Sequence, residues 1–345
     1  PLAMASVLAG SRVLPQRRAR AGVLLLLLAS LLASALRWRQ SGRSPAAASG
    51  AAFASQAPGR AARPSGRSAV AREAEGDAPA GGRQTAGKRL LVLGGGGYVG
   101  SQVCRLAVDR GYTVTSLSRR GANPDPDDER LAAVRWLKGD AADAATVKAL
   151  VDETDAVVHA IGLLFDVNSG LTNLNTIVSG SNSIPGESST YDTVTRRTAF
   201  NVISAVKNRF RMPFTSAPPT PVLFVSAAEA GWPEVTFGEQ VEAAAPEWLR
   251  RYLVAKRAVE AEITSDPEAI RPVIFRPSLI WSWDKLDVLP AIPVFNALNA
   301  LGVPFVDKTV TVGTLSKAII AGLEDASVSG VQRFMQMEEL EKQLA

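Results

Sequence analysis

The feature that most constrains this chain is an apolar run that ends on four consecutive glycines: Leu90-Leu91-Val92-Leu93-Gly94-Gly95-Gly96-Gly97-Tyr98-Val99-Gly100. Unbroken apolar character in Leu90–Leu93 fits a strand covered on both faces. Val99–Arg110, which follows, has helical spacing. A strand, a glycine turn and a helix in that order form a phosphate-binding element, and a bare glycine match lacks that context. With glycines three apart, Gly94 permits the tight turn, Gly97 lets backbone approach a pyrophosphate, and Gly100 lets the helix pack on the strand. The phosphates then rest on the helix N-terminus, where free N–H groups and the dipole favour an anion. Gly94, Gly97, Tyr98, Val99 and Gly100 are therefore expected to hold a dinucleotide, and Gly95 and Gly96 to fill variable places.

The same alternation continues downstream. Apolar runs at Arg89–Leu93, Tyr112–Leu117, Val134–Leu137, Ala156–Ala160, Val222–Val225 and Val273–Phe275 are separated by helical stretches at Val99–Arg110, Ala144–Glu153, Thr193–Val206 and Trp248–Ile263. Alternating strands and helices require parallel pairing with right-handed crossovers, which predicts an α/β doubly wound parallel sheet. Two stretches interrupt it. The first, near 166–190, is rich in Ser, Asn, Gly and Thr. The second, near 284–310, mixes Pro290, Pro293 and Pro304 with apolar residues and reads as a small C-terminal substrate-side subdomain. Residues 88–334 form the expected nucleotide-binding domain, and Met335 to Ala345 a helical tail.

The second strand ends Ser116-Leu117-Ser118-Arg119-Arg120-Gly121, with no acidic residue between Val114 and Gly121. An acid there would grip the ribose hydroxyls of NAD, whereas arginine accommodates the extra phosphate of NADP. This predicts NADPH, with Arg119 as main contact and Arg120 in support. NAD and a merely solvated arginine pair remain open.

The spacing G-x-x-G-x-x-G resembles the extended and atypical branches of the short-chain dehydrogenase/reductase superfamily, whose fold is the NAD(P)-binding Rossmann fold. On that resemblance Asp140 and Ala141, after the third strand, receive the adenine. Ala160 and Gly162 follow the fourth strand and leave room for the cofactor across the sheet, with His159 packed beneath it. Trp248-Leu249-Arg250-Arg251-Tyr252-Leu253-Val254-Ala255-Lys256 carries a Y-x-x-x-K pair, four apart and so on one helix face. In the family this pair is the catalytic centre. A phenol with an ordinary pKa near 10 needs a neighbouring cation to exchange protons at neutral pH. The resemblance thus makes Tyr252 the general acid and Lys256 its support and ribose contact. Ser226, after the fifth strand, would polarise a substrate carbonyl, although the family hydroxyl often falls one or two residues later, where this chain has Ala227 and Ala228. Ile270-Arg271-Pro272-Val273-Ile274-Phe275-Arg276-Pro277 is similar to a sixth-strand motif of the atypical branch, in which Arg276 closes the nicotinamide side. The matches most resemble the subgroup with the nucleotide-binding accessory subunit of respiratory complex I, mitochondrial proteins tied to coenzyme Q synthesis, and chloroplast relatives.

Charge separates the chain into two parts. Residues 1–72 hold eleven arginines, no lysine and no acid, which leaves 27 basic against 33 acidic groups in the remainder. The folded part is mildly acidic and lacks the basic stripe of a nucleic-acid partner. Arg17-Arg18-Ala19-Arg20, a leucine-rich run to Leu32 and small residues beyond it make a signal-like segment over 17–36, and 37–72 has transit-peptide composition. A two-part leader of this kind predicts a plastid (chloroplast). A mitochondrial presequence starting at Met4 is the alternative, and 1–87 is excluded from the fold either way. One cysteine, Cys104, and one histidine, His159, leave no disulfide framework and no cysteine-cluster or multi-histidine metal site.

Two functions follow from the resemblance. One is an NADPH-dependent oxidoreductase acting on a carbonyl or quinone-like lipophilic molecule, its pocket lined by Leu163-Leu164-Phe165 and the Trp281–Val306 region. The other is a non-catalytic nucleotide-binding scaffold at a membrane-associated respiratory, quinone-synthesis or photosynthetic complex. The sequence leaves the oligomeric state open.

Overall fold

A computed structural model describes residues 87–172, 175, 186, 188–210, 217–283 and 291–344. The leader and most of 166–190, together with 284–290, lie outside the described residues. No helix among the described residues is long and apolar enough to cross a membrane.

Seven strands form one parallel sheet: β1 (Arg89–Leu93), β2 (Thr113–Ser118), β3 (Arg135–Lys138), β4 (Ala156–His159), β5 (Thr220–Val225), β6 (Ile270–Phe275) and β9 (Gly330–Gln332), ordered β3-β2-β1-β4-β5-β6-β9. The order reverses between β1 and β4, so their carboxyl ends, Leu93 beside His159, open the crevice where such sheets bind ligands. All six strands expected from the sequence are present. β9 is the addition.

Alternate residues of β1 face opposite layers, as strand geometry requires. Leu90 and Val92 join Val103, Ala107, Leu315 and Ile319 from α1 (Tyr98–Asp109) and α8 (Val312–Glu324). Leu91 and Leu93 join Val147, Leu150, Val202, Ile203, Val259 and Ile263 from α3 (Ala144–Asp152), α4 (Thr198–Lys207) and α6 (Glu247–Ile263). The short α2 (Glu129–Ala132) precedes β3 and is capped by Asp128, whose carboxylate accepts from the Arg130 N–H. Where the sequence predicts one helix over Thr193–Val206, the structure begins with a π-helical turn, Asp192–Arg197, before the regular α4.

A third apolar cluster builds the subdomain: Trp232, Val241, Leu249, Leu253, Leu298, Val303, Phe305 and Val306 bring together the 3-10 segment Ala228–Glu234, α5 (Gly238–Ala244), α6, α7 (Ile292–Ala300) and the segment leading to β8 (Val310–Thr311). β8 pairs with β7 (Ile280–Trp281). Trp232 Nε1 donates to the Phe305 carbonyl at 2.9 Å and ties the 3-10 segment to the stretch leading to β8. The C-terminal residues are not a detached tail: α9 (Phe334–Leu344) buries Met337 and Leu340 in the layer of α1 and α8.

Candidate active site

The glycine turn is set by close backbone approach. Gly94 lies in the left-handed region at φ +87°, and a Cβ there would stand 3.0 Å from the Ala160 carbonyl oxygen across the crevice. A Cβ at Gly100 would overlap the Gly94 carbonyl, and Gly97 N–H donates to that same oxygen at 2.9 Å. Gly95 also proves obligatory, since a Cβ there would overlap Ser116 Oγ and press within 2.9 Å of Cys104 Sγ. Only Gly96 stands in open space. α1 starts at Gly97 with no side-chain cap and no acid in its first turn, so its N–H groups and dipole are available to an anion. Tyr98 and Val99 open the helix, Val99 packing against the first core layer. This cradle fits a pyrophosphate.

Arg119 and Arg120 sit exposed at the end of β2, beside the turn. Arg120 donates to the Gly96 carbonyl at 3.4 Å and Arg119 reaches Ser189 Oγ at 3.5 Å. Among the described residues no carboxylate pairs with either. Asp140, exposed after β3, accepts from the Ala142 N–H at 2.9 Å, and the buried Ala141 holds Asn201 through its carbonyl at 2.9 Å. Ala160 borders the turn as described. A Cβ at Gly162 would meet nothing, so no steric need for glycine exists at that position.

His159 is buried at the crevice floor, its Nε2 2.9 Å from Thr198 Oγ1 and its ring tilted on Phe224. Thr198 Oγ1 donates to the Val194 carbonyl at 2.8 Å, so it accepts from Nε2–H. Burial, then the nearby Lys256 charge, push the imidazole down to about 3 and keep it neutral. The histidine thus has a partner, contributed by α4, that the sequence did not reveal.

α6 presents Tyr252, Lys256 and Glu260 at successive turns. Lys256 is 2 % exposed, donates from Nζ to the Val225 carbonyl at 2.7 Å, and lies 4.8 Å from the Phe224 ring centre and 5.5 Å from that of Tyr252. Burial pushes the ammonium down to about 8, with Glu260 opposing. The Tyr252 hydroxyl has no hydrogen-bond partner among the described residues. Its ring packs edge-on to Tyr191 at 5.6 Å, and Tyr191 Oη donates to the Leu164 carbonyl at 2.6 Å. The sequence reading expects Lys256 to lower the phenol's pKa. In this structure burial, followed by the Glu229 charge, pushes it above the usual tyrosine range instead.

Ser226 and Arg276 belong to a different arrangement from the expected one. Ser226 Oγ is buried and donates to Glu260 Oε1 at 2.5 Å, instead of pointing at a substrate carbonyl. Arg276 holds Glu260 through Nε (3.1 Å) and Nη2 (2.7 Å) and grips Glu234 with both terminal nitrogens at 2.8 Å, so its guanidinium is committed inside the protein. Two carboxylates went unnoticed in the sequence. Glu260 was legible as the residue four beyond Lys256. Glu229, three beyond Ser226, has its carboxyl pushed up to about 7 by burial and by Asp307; only its position directly after the two alanines could have flagged it. Of the expected pocket wall, Phe165 is buried against Trp248 at 4.8 Å and Leu163 is buried beside it, while Trp281 meets the exposed Trp283 edge-on at 5.2 Å.

The fold and this crevice define an NAD(P)-binding Rossmann protein, and residues 90–283 match the NAD dependent epimerase/dehydratase family. The chain belongs to that family. It is 23% identical over 279 residues to MIOREX complex component 2 of Saccharomyces cerevisiae, covering 70% of this chain and 96% of that protein. An uncharacterised chloroplastic protein of Arabidopsis thaliana is 41% identical over 75 residues, 22% of this chain and 25% of its own length. The 2-alkyl-3-oxoalkanoate reductase of Stenotrophomonas maltophilia is 26% identical over 209 residues, 59% of this chain and 54% of that enzyme.

Proposed function

We propose that this chain is an NADPH-dependent oxidoreductase that reduces the carbonyl of a small lipophilic or quinone-like molecule. The observation that carries this reading is the Tyr252 hydroxyl, without a hydrogen-bond partner among the described residues and one helical turn from the buried, charged Lys256. Gly94, Gly97 and Gly100, with the N-terminus of α1, hold the pyrophosphate. Arg119 and Arg120 take the extra phosphate of NADP, and Asp140 with Ala141 borders the adenine. A nicotinamide cofactor held there would supply the hydride. Tyr252 Oη then gives its proton to the developing alkoxide, with Lys256 keeping positive charge beside the phenol. Ser226 takes no direct part, since its hydroxyl donates its hydrogen bond to Glu260. The chloroplastic relative and the leader composition support a plastid location, with a mitochondrial one as the alternative.

Tyr252→Phe tests the reading. It should reduce NADPH oxidation with aldehyde or quinone substrates by about 10²–10⁴-fold and leave NADPH binding unchanged. Equal activity in both proteins would sink the proposal.

A second reading is a nucleotide-binding scaffold at an organellar, membrane-associated complex. It is favoured by Ala227 and Ala228, which leave the end of β5 with no hydroxyl aimed at a substrate, and by the relative that is a MIOREX complex component. Absence of turnover in wild type and variant alike, with tight NADPH binding, would select it.

A further inference from the structure

Glu260 is the third member of the α6 stripe and has no place in the proton path described above. It is 7 % exposed, and its carboxylate accepts from Ser226 Oγ just beyond β5 and from Arg276 just beyond β6. The groups that face Lys256 are few. α6 contributes Tyr252 and Glu260; β4 contributes the neutral His159; β5 contributes the Val225 carbonyl and the Phe224 ring; and Arg276, beyond Glu260, is balanced by Glu260 and Glu234. Glu260, four residues beyond Lys256 on the same buried face of α6, is the carboxylate whose charge opposes the effect of burial on this lysine.

We propose that Glu260 is a positioning residue that keeps the Lys256 ammonium charged, and that Ser226 and Arg276 serve to hold its carboxylate rather than to meet substrate. A buried amine with no anion nearby loses its proton, because a low-dielectric surrounding penalises the charged form. A guanidinium stays protonated throughout the accessible pH range, so Arg276 cannot relieve a shortage of negative charge. Only Lys256 can. Only the use made of Lys256 rests on the oxidoreductase reading, whereas its charge relation to Glu260 does not.

The test is a carbon NMR titration of the full chain labelled at lysine Cε, with the Lys256 resonance assigned by its loss in Lys256→Arg. Wild type should titrate near 8. Glu260→Gln should lower the midpoint by about one pH unit or more, a tenfold change in proton affinity, and Glu260→Asp should restore it. An unchanged midpoint in a folded Glu260→Gln protein overturns the proposal. Should that variant fail to fold, Arg276→Gln decides: removing the cation that shares the carboxylate should raise the midpoint, and a constant or lower one overturns the proposal. Activity that depends on charged Lys256 falls as pH rises through its midpoint, so in Glu260→Gln this limb should move to lower pH. A shifted midpoint with no turnover in any variant supports the Glu260 role and counts against the reductase reading.

Discussion

At the β1–α1 turn the decisive contacts are made by backbone: a Cβ on Gly100 would overlap the Gly94 carbonyl, and Gly94 lies 3.0 Å, by the same measure, from the Ala160 oxygen. Across the switch point, between β5, α6 and β6, the decisive contacts belong to side chains. Ser226, Glu260, Arg276 and Glu234 form one hydrogen-bonded chain, with Lys256 anchored beside it on the Val225 carbonyl. In the function proposed above, the first region meets a part that every dinucleotide shares, and needs only the absence of side chains. In the same proposal the second holds a charge and a proton at chosen atoms among buried groups, and needs several side chains that satisfy one another. The two regions should therefore fail differently.

The largest effect is expected in the second region. Arg276 and Glu260 are an ion pair with both side chains buried, at 7% and 8% exposure. Glu260→Ala leaves the guanidinium with only the exposed Glu234 and should cost about 3–5 kcal/mol in urea unfolding. A cost below about 1 kcal/mol would show that Glu234 and water replace the partner, and would erase the contrast between the regions. Gly100→Ala comes next. Its Cβ meets the rigid backbone of Gly94 and Gly95, an overpacking that should cost about 1–3 kcal/mol, with NADPH binding lost as the helix N-terminus moves off the phosphates.

The two regions also differ in how far they could be read from the amino-acid order. Steric necessity selects glycine whatever its surroundings, so Gly94, Gly97 and Gly100 stood out at their spacing, and so did the strand and helix that flank them. Gly95 was taken as variable because the residues that forbid a side chain there, Ser116 and Cys104, come from β2 and from within α1. The partners of Ser226 and Arg276 were hidden for a related reason. A hydroxyl or guanidinium is directed by its partners, here Glu260, 34 and 16 positions away. β9 was missed because Gly330-Val331-Gln332 is too short and too polar to resemble a strand, and gains its place by pairing with Val273–Phe275. The π-helical start of α4, which sets Thr198 against His159, leaves no periodicity that a run of Asp, Thr and Arg could show.

Arg119 ranks third and bears on which dinucleotide the first region prefers. Arg119→Ala should weaken NADPH by about tenfold, equivalent to about 1.4 kcal/mol, and leave NADH affinity unchanged in a direct titration. The effect is modest because the side chain is exposed and a second arginine stands beside it. Equal loss for both cofactors would move Arg119 from phosphate selection to general support of the turn.

Gly96→Ala should have the smallest effect, and it isolates what the glycine run is for. Gly96 is the one position of the four where the nearest atom to an added Cβ, the Ala122 carbonyl oxygen, is 3.9 Å away, and its backbone is outside the left-handed region. Alanine also restricts the unfolded chain more than glycine does, which favours the folded state by a few tenths of a kcal/mol. Stability should therefore stay within about 0.5 kcal/mol of wild type or rise slightly. Cofactor affinity separates two roles that stability cannot. If the nucleotide needs bare backbone only at Gly94, Gly97 and Gly100, binding is retained; if it also passes over Gly96, the added methyl group intrudes on the phosphates and binding falls while the melting temperature holds.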